Sequence, residues 1–505
     1  MRLMMWDTIH SWLKKMIGAI ALVCSTAVLV LNVIYRCQVS YGDSEKVIIT
    51  ANLSGGIVML LLLAGAVYLL CRFCRRIEKV NQRRLFWVLS AAYAVLAAYL
   101  IFNSAPVMRT DALWIQQAAL EVNKGNWSVF KPWKYMHTYP HQLGMLVYDL
   151  LLSLITENPA LNFAVNALLV LGINHTCWQL SRQLTDDAFV HVLTICLCFA
   201  FLPQLFFIMF AYGQIPGFFC LMMAMLQAVR FGKRQSLKTM LGMLTFASLA
   251  ILLRKNNLIG VLTIVCFLVL QFFRQRGWRS ALAIICALAC LYVPGKAVET
   301  VFERLSRQNL NNGCPSVLWL AMGTDIDNQL RGPGWYDSTS YDTYLQLNAD
   351  ATAASAAGVE KLKVNIDKMK ADPMRTLRFF REKTVSQWCE PMYQSVWSGP
   401  MALGEQGTYT PLLQDLYAGG TAEEIVEHFC KLIVLLIFGG CMMFLLFDAK
   451  KSGGWELGVV YFIGGFLFHM LWEAKSQYIY PYVFSLIPMA AQGLRAVAGR
   501  LQERR

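Results

Sequence analysis

The chain has 505 residues, of which 57% are hydrophobic and only 15% are charged, and its formal net charge is +14. This composition is too apolar for a soluble multidomain protein and indicates a polytopic membrane protein. The basic excess does not point to nucleic acid, because Lys and Arg gather in the cytoplasmic loops of membrane proteins. Most of the 15 cysteines lie inside apolar runs and act as small hydrophobic side chains, so no disulfide framework is predicted.

Apolar runs follow one another along the chain, and each can be compared with the roughly 20 residues that a spanning helix needs. They cover residues 16–35, 55–71, 85–103, 142–156, 160–180, 188–210, 214–229, 239–253, 257–273, 281–297, 430–448, 455–472 and 478–494. The first run is long enough to span and lacks a small-residue cleavage site after a short core. We therefore interpret it as a retained helix and not as a signal peptide.

The run at 142–156 decides the topology, because it is short and contains Asp149. If it crosses the membrane, the short basic loops that follow it face outward, which opposes the positive-inside rule. If it lies at the outer surface, those loops face the cytoplasm, and so do the basic loop 72–84, Lys450, Lys451 and the basic C-terminal tail. We therefore predict an all-α protein with about twelve spanning helices, both termini cytoplasmic, and an outer juxtamembrane or half-inserted helix at 142–156.

This topology divides the chain into five segments. They are three N-terminal spans, a first outer loop with juxtamembrane helices, six central spans, a long outer loop with amphipathic helices, and three C-terminal spans with a basic tail. Their boundaries are 1–103, 104–159, 160–297, 298–428 and 429–505. Within the long outer loop, "GPGWYDSTSYD" predicts turns, and residues 359–388 predict amphipathic helix broken at Pro373.

Unusual polar residues gather at the outer face in this topology. Candidates for substrate contacts are His137, Tyr139 and His141 in the first outer loop, Tyr212 and Gln214 in "FAYGQIPG", Arg254 and Lys255 in "LLRKNNLIG", and Glu473, Lys475 and Tyr478 in "LWEAKSQYIYPY". Arg254 and Lys255 oppose the positive-inside tendency. A phosphate ligand would explain them through charge-assisted hydrogen bonds, and snorkelling of cations at helix ends is the structural alternative.

Asp111 follows the third span, in "APVMRTDALWIQQAALEVNKGNW". One interpretation is structural: Thr110 or Asp111 caps a surface helix, and the helix dipole favours the acid. The other is chemical, since a carboxylate at the membrane face could take a proton from an acceptor hydroxyl while a phosphate leaves. Both roles are compatible in one residue.

The order of these motifs resembles the polytopic GT-C glycosyltransferases, in particular the bacterial members of the protein O-mannosyltransferase and aminoarabinose-transferase-like group. The resemblance rests on "MRTDALWIQQAALEVNKGNW", "YMHTYPHQLGMLVYDLLLSL", "FAYGQIPG", "ADPMRTLRFFREKTVSQWCEP" and "EAKSQYIYPYVFSLIPMAAQGL". It implies an inverting transferase that moves a sugar from a polyprenyl-phosphate-linked donor to an envelope glycan, lipid or protein. The transfer would take place at the outer face of a plasma membrane. The resemblance also implies that Asp111 is the catalytic base and that Arg254, Lys255 and Lys475 bind the lipid phosphate.

Two departures from the family pattern concern these roles. "SQY" replaces the "SRY" of many relatives, which removes the phosphate role at the last outer turn or transfers it to Lys475. Asp111 is followed by Ala112, where many mannosyltransferase relatives have a Glu, but one base suffices because phosphate is a good leaving group. His137, His141 and Asp149 lack regular ligand spacing, so a divalent metal is not supported as a cofactor.

Three alternatives stay open. A lipid-linked glycan polymerase or ligase would use the same membrane face and the same kind of donor. A transporter or flippase of envelope precursors would show inverted repeats and charges at mid-membrane, and the sequence shows neither. A non-catalytic scaffold would not depend on Asp111.

Overall fold

In the computed structural model, the residues described are 2–40, 44–275, 277–310, 313–449 and 453–503. The protein is 75% helical. Eight helices are long and apolar enough to cross a membrane, and a bent pair adds a ninth candidate, among the residues just given. The protein is therefore an all-α polytopic membrane protein. Lys450, Lys451, Arg504 and Arg505, which belong to the basic clusters predicted to be cytoplasmic, lie outside the described residues.

The N-terminal part contains three long apolar helices and an unexpected hairpin. Its elements are α1 (Arg2–Ile34), β1 (Tyr35–Ser40), β2 (Lys46–Ala51), α2 (Leu53–Arg72), α3 (Cys74–Ile77) and α4 (Gln82–Phe102). The strands are antiparallel, with Tyr35 opposite Ala51 and Ser40 opposite Lys46. The sequence analysis missed the hairpin because β1 continues directly from the first apolar run.

The first outer loop folds into short helices. They are α5 (Thr110–Asn123), α6 (Tyr135–Thr138) and α7 (Leu143–Ser153), and α5 packs against α7. The 11 residues of α7 fall within the predicted juxtamembrane segment. At about 1.5 Å per residue, α7 is roughly 16 Å long, about half the thickness of the hydrocarbon core. This length is too short for a span.

The central part contains long helices that pack side by side. They are α8 (Ala160–Leu184), α9 (Ala188–Ala200), α10 (Pro203–Phe206), α11 (Gln214–Arg234), α12 (Leu237–Leu253), α13 (Leu258–Gln275), α14 (Trp278–Cys290) and α15 (Val293–Ser306). The chain bends by 47° between α9 and the segment 203–209. Pro203 lies at this bend, because proline cannot continue the helical hydrogen bonds.

The long outer loop and the C-terminal part complete the chain. Their helices are α16 (Ser316–Gly323), α17 (Thr339–Gln346), α18 (Ala351–Ala371), α19 (Pro373–Trp388), α20 (Pro411–Tyr417), α21 (Thr421–Phe447), α22 (Glu456–Leu471), α23 (Tyr480–Phe484) and α24 (Ile487–Glu503). The predicted break at Pro373 agrees with the junction of α18 and α19. The predicted turns end early, since residues 339–342 belong to α17, and the Asp337 side chain accepts the Thr339 N–H at its start, at 2.9 Å.

Burial separates the helices into an inner and an outer set. In the most apolar 18-residue window of α11, 78% of residues are buried within the protein, against 11% in α2 and 17% in the α14–α15 segment. Helix α11 therefore lies at the centre, packed against α8 and α12. Helices α2 and α14 expose large apolar side chains such as Leu61 and Ile285, as helices in contact with lipid do.

Candidate functional site

A cavity of about 630 Å³ lies where residues of segment 104–159, several helix connections and residues of segment 298–428 meet. All but two of the predicted site residues line it. The lining residues among them are Asp111, Tyr139, His141, Tyr212, Arg254, Lys255, Glu473, Lys475 and Tyr478. Residues far apart in the sequence therefore line the same cavity.

Short connections bring these side chains together. Arg254 and Lys255 lie between α12 and α13, and residues 473–478 lie between α22 and α23. Two glycines allow the elements to approach closely. A Cβ on Gly144 would lie 2.1 Å from the Leu252 carbonyl oxygen, and Gly213 has a φ of +84° with a Cβ position 2.2 Å from the next carbonyl of α12. Only glycine fits such contacts, so α7 and the start of α11 press against the end of α12.

Asp111 is half-buried in the first turn of α5. The interpretation as a helix cap is wrong, because Arg109 occupies the N-cap position and no side chain caps the helix. Arg109 instead donates to the Trp397 and Gly399 carbonyls, at 3.2 and 2.6 Å, which fixes the start of α5 to the long outer loop. Among the described residues, the Asp111 carboxylate has no hydrogen-bond or ion-pair partner. It is therefore open to a ligand in the cavity.

Arg254 is a buried cation that forms no ion pair within the described residues, although Asp111 and Glu473 act on it over a longer range. It is only 9% exposed, and its guanidinium lies over the rings of Tyr212 and Tyr478, at 4.3 and 5.6 Å from their centroids. Its hydrogen bond to the Tyr212 carbonyl is long, at 3.5 Å. No carboxylate in the described part of the chain lies within 4.0 Å of it, and a buried cation without an anion is costly. Lys255 beside it is exposed and is also without an ion pair in that part.

Lys475 differs from Arg254, because it already has an anionic partner. Its ammonium lies 2.8 Å from Glu45, which is 1% exposed and also lies 3.5 Å from Arg331. Burial lowers the pKa of Lys475, but Glu45 and Glu473 raise it by more, so Lys475 stays charged. The pair with Glu45 weakens the case for Lys475 as a phosphate ligand.

Glu473 is buried at the same wall, with 5% of its surface exposed. The Tyr478 hydroxyl donates to its carboxylate at 3.4 Å, a long bond. Burial raises the pKa of Glu473 to about 7, and Lys475 opposes that rise in part. Glu473 therefore titrates near neutral pH.

The histidines and Gln214 contribute less. His137 is half-buried and does not line the cavity, and Gln214 is buried and donates to the Gln477 side chain at 3.3 Å. His141 faces the cavity with an exposed surface, and its enclosed position, with the charges of Lys255 and Arg254, lowers its pKa. Asp149 is buried and accepts a hydrogen bond from Asn162 at 2.8 Å. The described residues contain no group of three His, Cys, Asp or Glu that could hold a metal ion.

Sequence analysis missed two charged residues that build the site. Glu45 comes from the connection between β1 and β2, and nothing local in the sequence signals that it pairs with Lys475. Lys383 in α19 is fully buried and donates to the carbonyls of Gly323 and Trp472, the latter at 2.6 Å. Lys383 is the lysine of "ADPMRTLRFFREKTVSQWCEP", a segment on which the family resemblance rests, but it is not among the predicted site residues.

Aromatic side chains form another wall that was not predicted. Tyr135, Trp319 and Tyr336 line the cavity beside Tyr139, whose ring lies 6.1 Å from that of Trp319. Burial raises the pKa of Tyr135 well above its usual range, and the charge of Asp111 adds to that rise. The Tyr135 hydroxyl therefore stays protonated, and it lies 3.1 Å from the Tyr212 hydroxyl.

No protein-family model matches the chain, and no curated protein matches it.

Proposed function

We propose that the protein is an inverting glycosyltransferase that moves a sugar from a polyprenyl-phosphate-linked donor to an acceptor at the outer face of the membrane. The observation that carries the proposal is that one cavity is lined by a buried cation, Arg254, and a carboxylate, Asp111, neither of which has an ion-pair partner within the described residues. The first suits an anionic group, and the second suits a general base. The motif order that resembles GT-C enzymes supports the same assignment.

The apolar part of the cavity supports a lipid-linked donor. Leu258, Ile259, Leu291, Phe468 and Trp472 line it beside the charged residues. Tyr292 lines it as well and is 69% exposed. An isoprenoid chain could therefore lie between the cavity and the surrounding lipid while its phosphate contacts Arg254.

The proposal includes an outward-facing site with about twelve spans and both termini in the cytoplasm. Asp111 precedes α7, and Tyr212 and Arg254 follow it, yet all three line one cavity. Helix α7 therefore need not reverse the side of the membrane, which supports a juxtamembrane role. The basic loops then face the cytoplasm, as the positive-inside rule favours, and a bacterial plasma membrane fits the resemblance.

In the proposed reaction, the acceptor oxygen attacks the anomeric carbon of the donor from the face opposite the phosphate. The acceptor O–H bond breaks and its proton passes to the Asp111 carboxylate. The bond between the anomeric carbon and the phosphate oxygen breaks, and its electron pair stays on the phosphate. Arg254 and Lys255 stabilise that oxygen by charge-assisted hydrogen bonds. Configuration at the anomeric carbon is inverted.

Substitution Asp111→Asn tests the proposal in proteoliposomes that contain a radiolabelled polyprenyl-phosphate sugar and envelope acceptors. We expect transfer to fall by about 10²- to 10⁴-fold, the contribution of a general base. Glu121→Gln, on the exposed face of the same helix, is the matched control and should retain full transfer.

Unchanged transfer by Asp111→Asn would exclude Asp111 as the base. Movement of the labelled lipid between leaflets by the unaltered protein, without transfer, would instead identify a flippase.

A further inference from the structure

Glu473 lies in a segment whose backbone is fixed by buried contacts with other parts of the protein. The Ala474 N–H donates to the Gly334 carbonyl at 2.8 Å, and Lys383 donates to the carbonyl of Trp472. A Cβ on Gly323 would lie 2.4 Å from the carbonyl carbon of Trp472. Glu473 therefore cannot move away from the cavity without breaking buried contacts.

The two lysines nearest to Glu473 already have other partners. Lys475, Arg254, Glu45 and Asp111 act on it electrostatically, and Glu473 in turn influences Lys383 and Tyr336. Tyr478 contacts its carboxylate, and the buried His469 interacts with its backbone. Lys475 is paired with Glu45 at 2.8 Å, and the Lys383 ammonium is bound by two carbonyls. Arg254 is the remaining buried cation, and in the proposed function it binds the ligand. An ionised Glu473 would then face the ligand's negative charge with no cation of its own.

Building on the proposed function, we infer that the cavity binds its anionic phosphodiester together with one proton, which the Glu473 carboxyl group holds. The bound acid is neutral, so it does not repel the phosphate, and its O–H can donate a hydrogen bond to it. An ionised Glu473 would exclude the same ligand.

The direction in which pH changes the ligand affinity follows from like-charge repulsion. Burial raises the pKa of Glu473 to about 7, and the nearby Glu45 and Asp111 add to the rise against the opposing effect of Lys475. A second negative charge in the cavity disfavours the ionised form further, so the pKa of Glu473 is higher in the complex. Linkage is reciprocal: if the ligand raises the proton affinity, the proton raises the affinity for the ligand. Binding therefore weakens as the pH rises through the pKa of the free protein.

A phosphodiester probe measures this linkage without titrating itself. Farnesyl methyl phosphate carries an isoprenoid tail and lacks the second ionisation that a monoester has at about pH 6. For the full-length protein in lipid nanodiscs, we expect affinity to fall about tenfold per pH unit above pH 7, until the pKa of the complex is reached. Calorimetry in buffers of different ionisation enthalpy should count close to one proton taken up per ligand at about pH 8.

Three variants assign the proton. Glu473→Gln mimics the neutral acid, so its affinity should match that of the unaltered protein at low pH and should not fall above pH 7. Titration of Lys383, whose pKa burial also lowers to about 7, would instead leave the slope in this variant. Glu473→Asp keeps a titrating group and should keep the slope, which guards against a loss caused by misfolding. Asp111→Asn should also keep the slope.

Two results would overturn the inference: a pH-independent affinity in the unaltered protein, or a slope that persists in Glu473→Gln. Loss of the slope in Asp111→Asn would show that Asp111, and not Glu473, holds the proton. The proposed function fails separately, if Arg254→Gln binds the probe as tightly as the unaltered protein. When Arg254→Gln loses binding and the unaltered protein shows no slope, the anion site stands and only the proton linkage is wrong.

Discussion

The substitution Arg254→Gln tests whether Arg254 binds a ligand or stabilises the fold. The side chain is 9% exposed, has no carboxylate within reach among the described residues, and its favourable contacts are the rings of Tyr212 and Tyr478. Two cation–π contacts of about 0.5–2 kcal/mol each are lost in Arg254→Gln. The cost of desolvating a buried cation, of several kcal/mol, is relieved at the same time, and the attraction of Arg254 to Asp111 and Glu473 is lost. We expect the free energy of unfolding to stay within about 1 kcal/mol of the original value or to rise.

The affinity for an anionic probe should fall in Arg254→Gln, although the stability does not. A guanidinium that makes two hydrogen bonds to a phosphodiester gains about 1.5–3 kcal/mol from each, or roughly 3–6 kcal/mol together. At about 1.4 kcal/mol per factor of ten, Arg254→Gln should weaken the affinity for farnesyl methyl phosphate by about 10²- to 10⁴-fold. Affinity by calorimetry and thermal unfolding, measured on the same nanodisc sample, give both quantities.

Arg495 offers a matched control, because it has the anionic partners that Arg254 lacks. It lies 2.7 Å from Asp187 and 3.0 Å from Glu78, and its side chain is 30% exposed. Arg495→Gln should lower stability by about 1 kcal/mol and leave probe affinity unchanged. The reasoning is refuted if Arg254→Gln destabilises the protein by several kcal/mol and still binds the probe with unaltered affinity.

Two further predictions concern the supports of the cavity. Lys383→Met leaves the carbonyl of Trp472 without its donor, which should cost about 1–3 kcal/mol of unfolding free energy. Because burial lowers the pKa of Lys383 to about 7, below its ordinary 10.5, the folded protein binds fewer protons than the unfolded chain between those values. The stability of the unaltered protein should gain from this group as pH rises above 7, and denaturant titrations should show that gain missing in Lys383→Met. Thr110→Gly removes the strain of a β-branched residue at φ +52°, so we expect unfolding free energy to rise by up to about 1 kcal/mol and transfer to fall, since the adjacent Asp111 is held less firmly. Lower stability and full transfer together would contradict that expectation.

Charge patterning located much of the candidate site from sequence. Arg254, Lys255 and Glu473 stood out because charged residues are unusual in the short connections between apolar runs. Once the run at 142–156 was placed at the surface, these connections and Asp111 fell on one side of the membrane. Their convergence on one cavity is a matter of helix packing, which hydropathy does not encode.

The remaining features depend on tertiary contacts. Glu45 pairs with Lys475 near the other end of the chain, and no local pattern signals such a partner. The capping interpretation of Asp111 failed because Arg109 finds its acceptors in the long outer loop. The hairpin of β1 and β2 was missed because a short strand that continues an apolar helix has no boundary in hydropathy.

The position of a bound donor analogue tests the central claim most directly. We predict that a cryo-EM map of the protein with farnesyl methyl phosphate will place the phosphate within hydrogen-bonding distance of the Arg254 guanidinium. The methyl carbon of the probe, which stands in for the anomeric carbon of the donor, should then face Asp111. The farnesyl chain should lie along Leu258 and Trp472. A phosphate bound elsewhere, or a map in which Arg254 stays unpaired while the probe is bound, would contradict the assignment of this cavity as a glycosyl-transfer site.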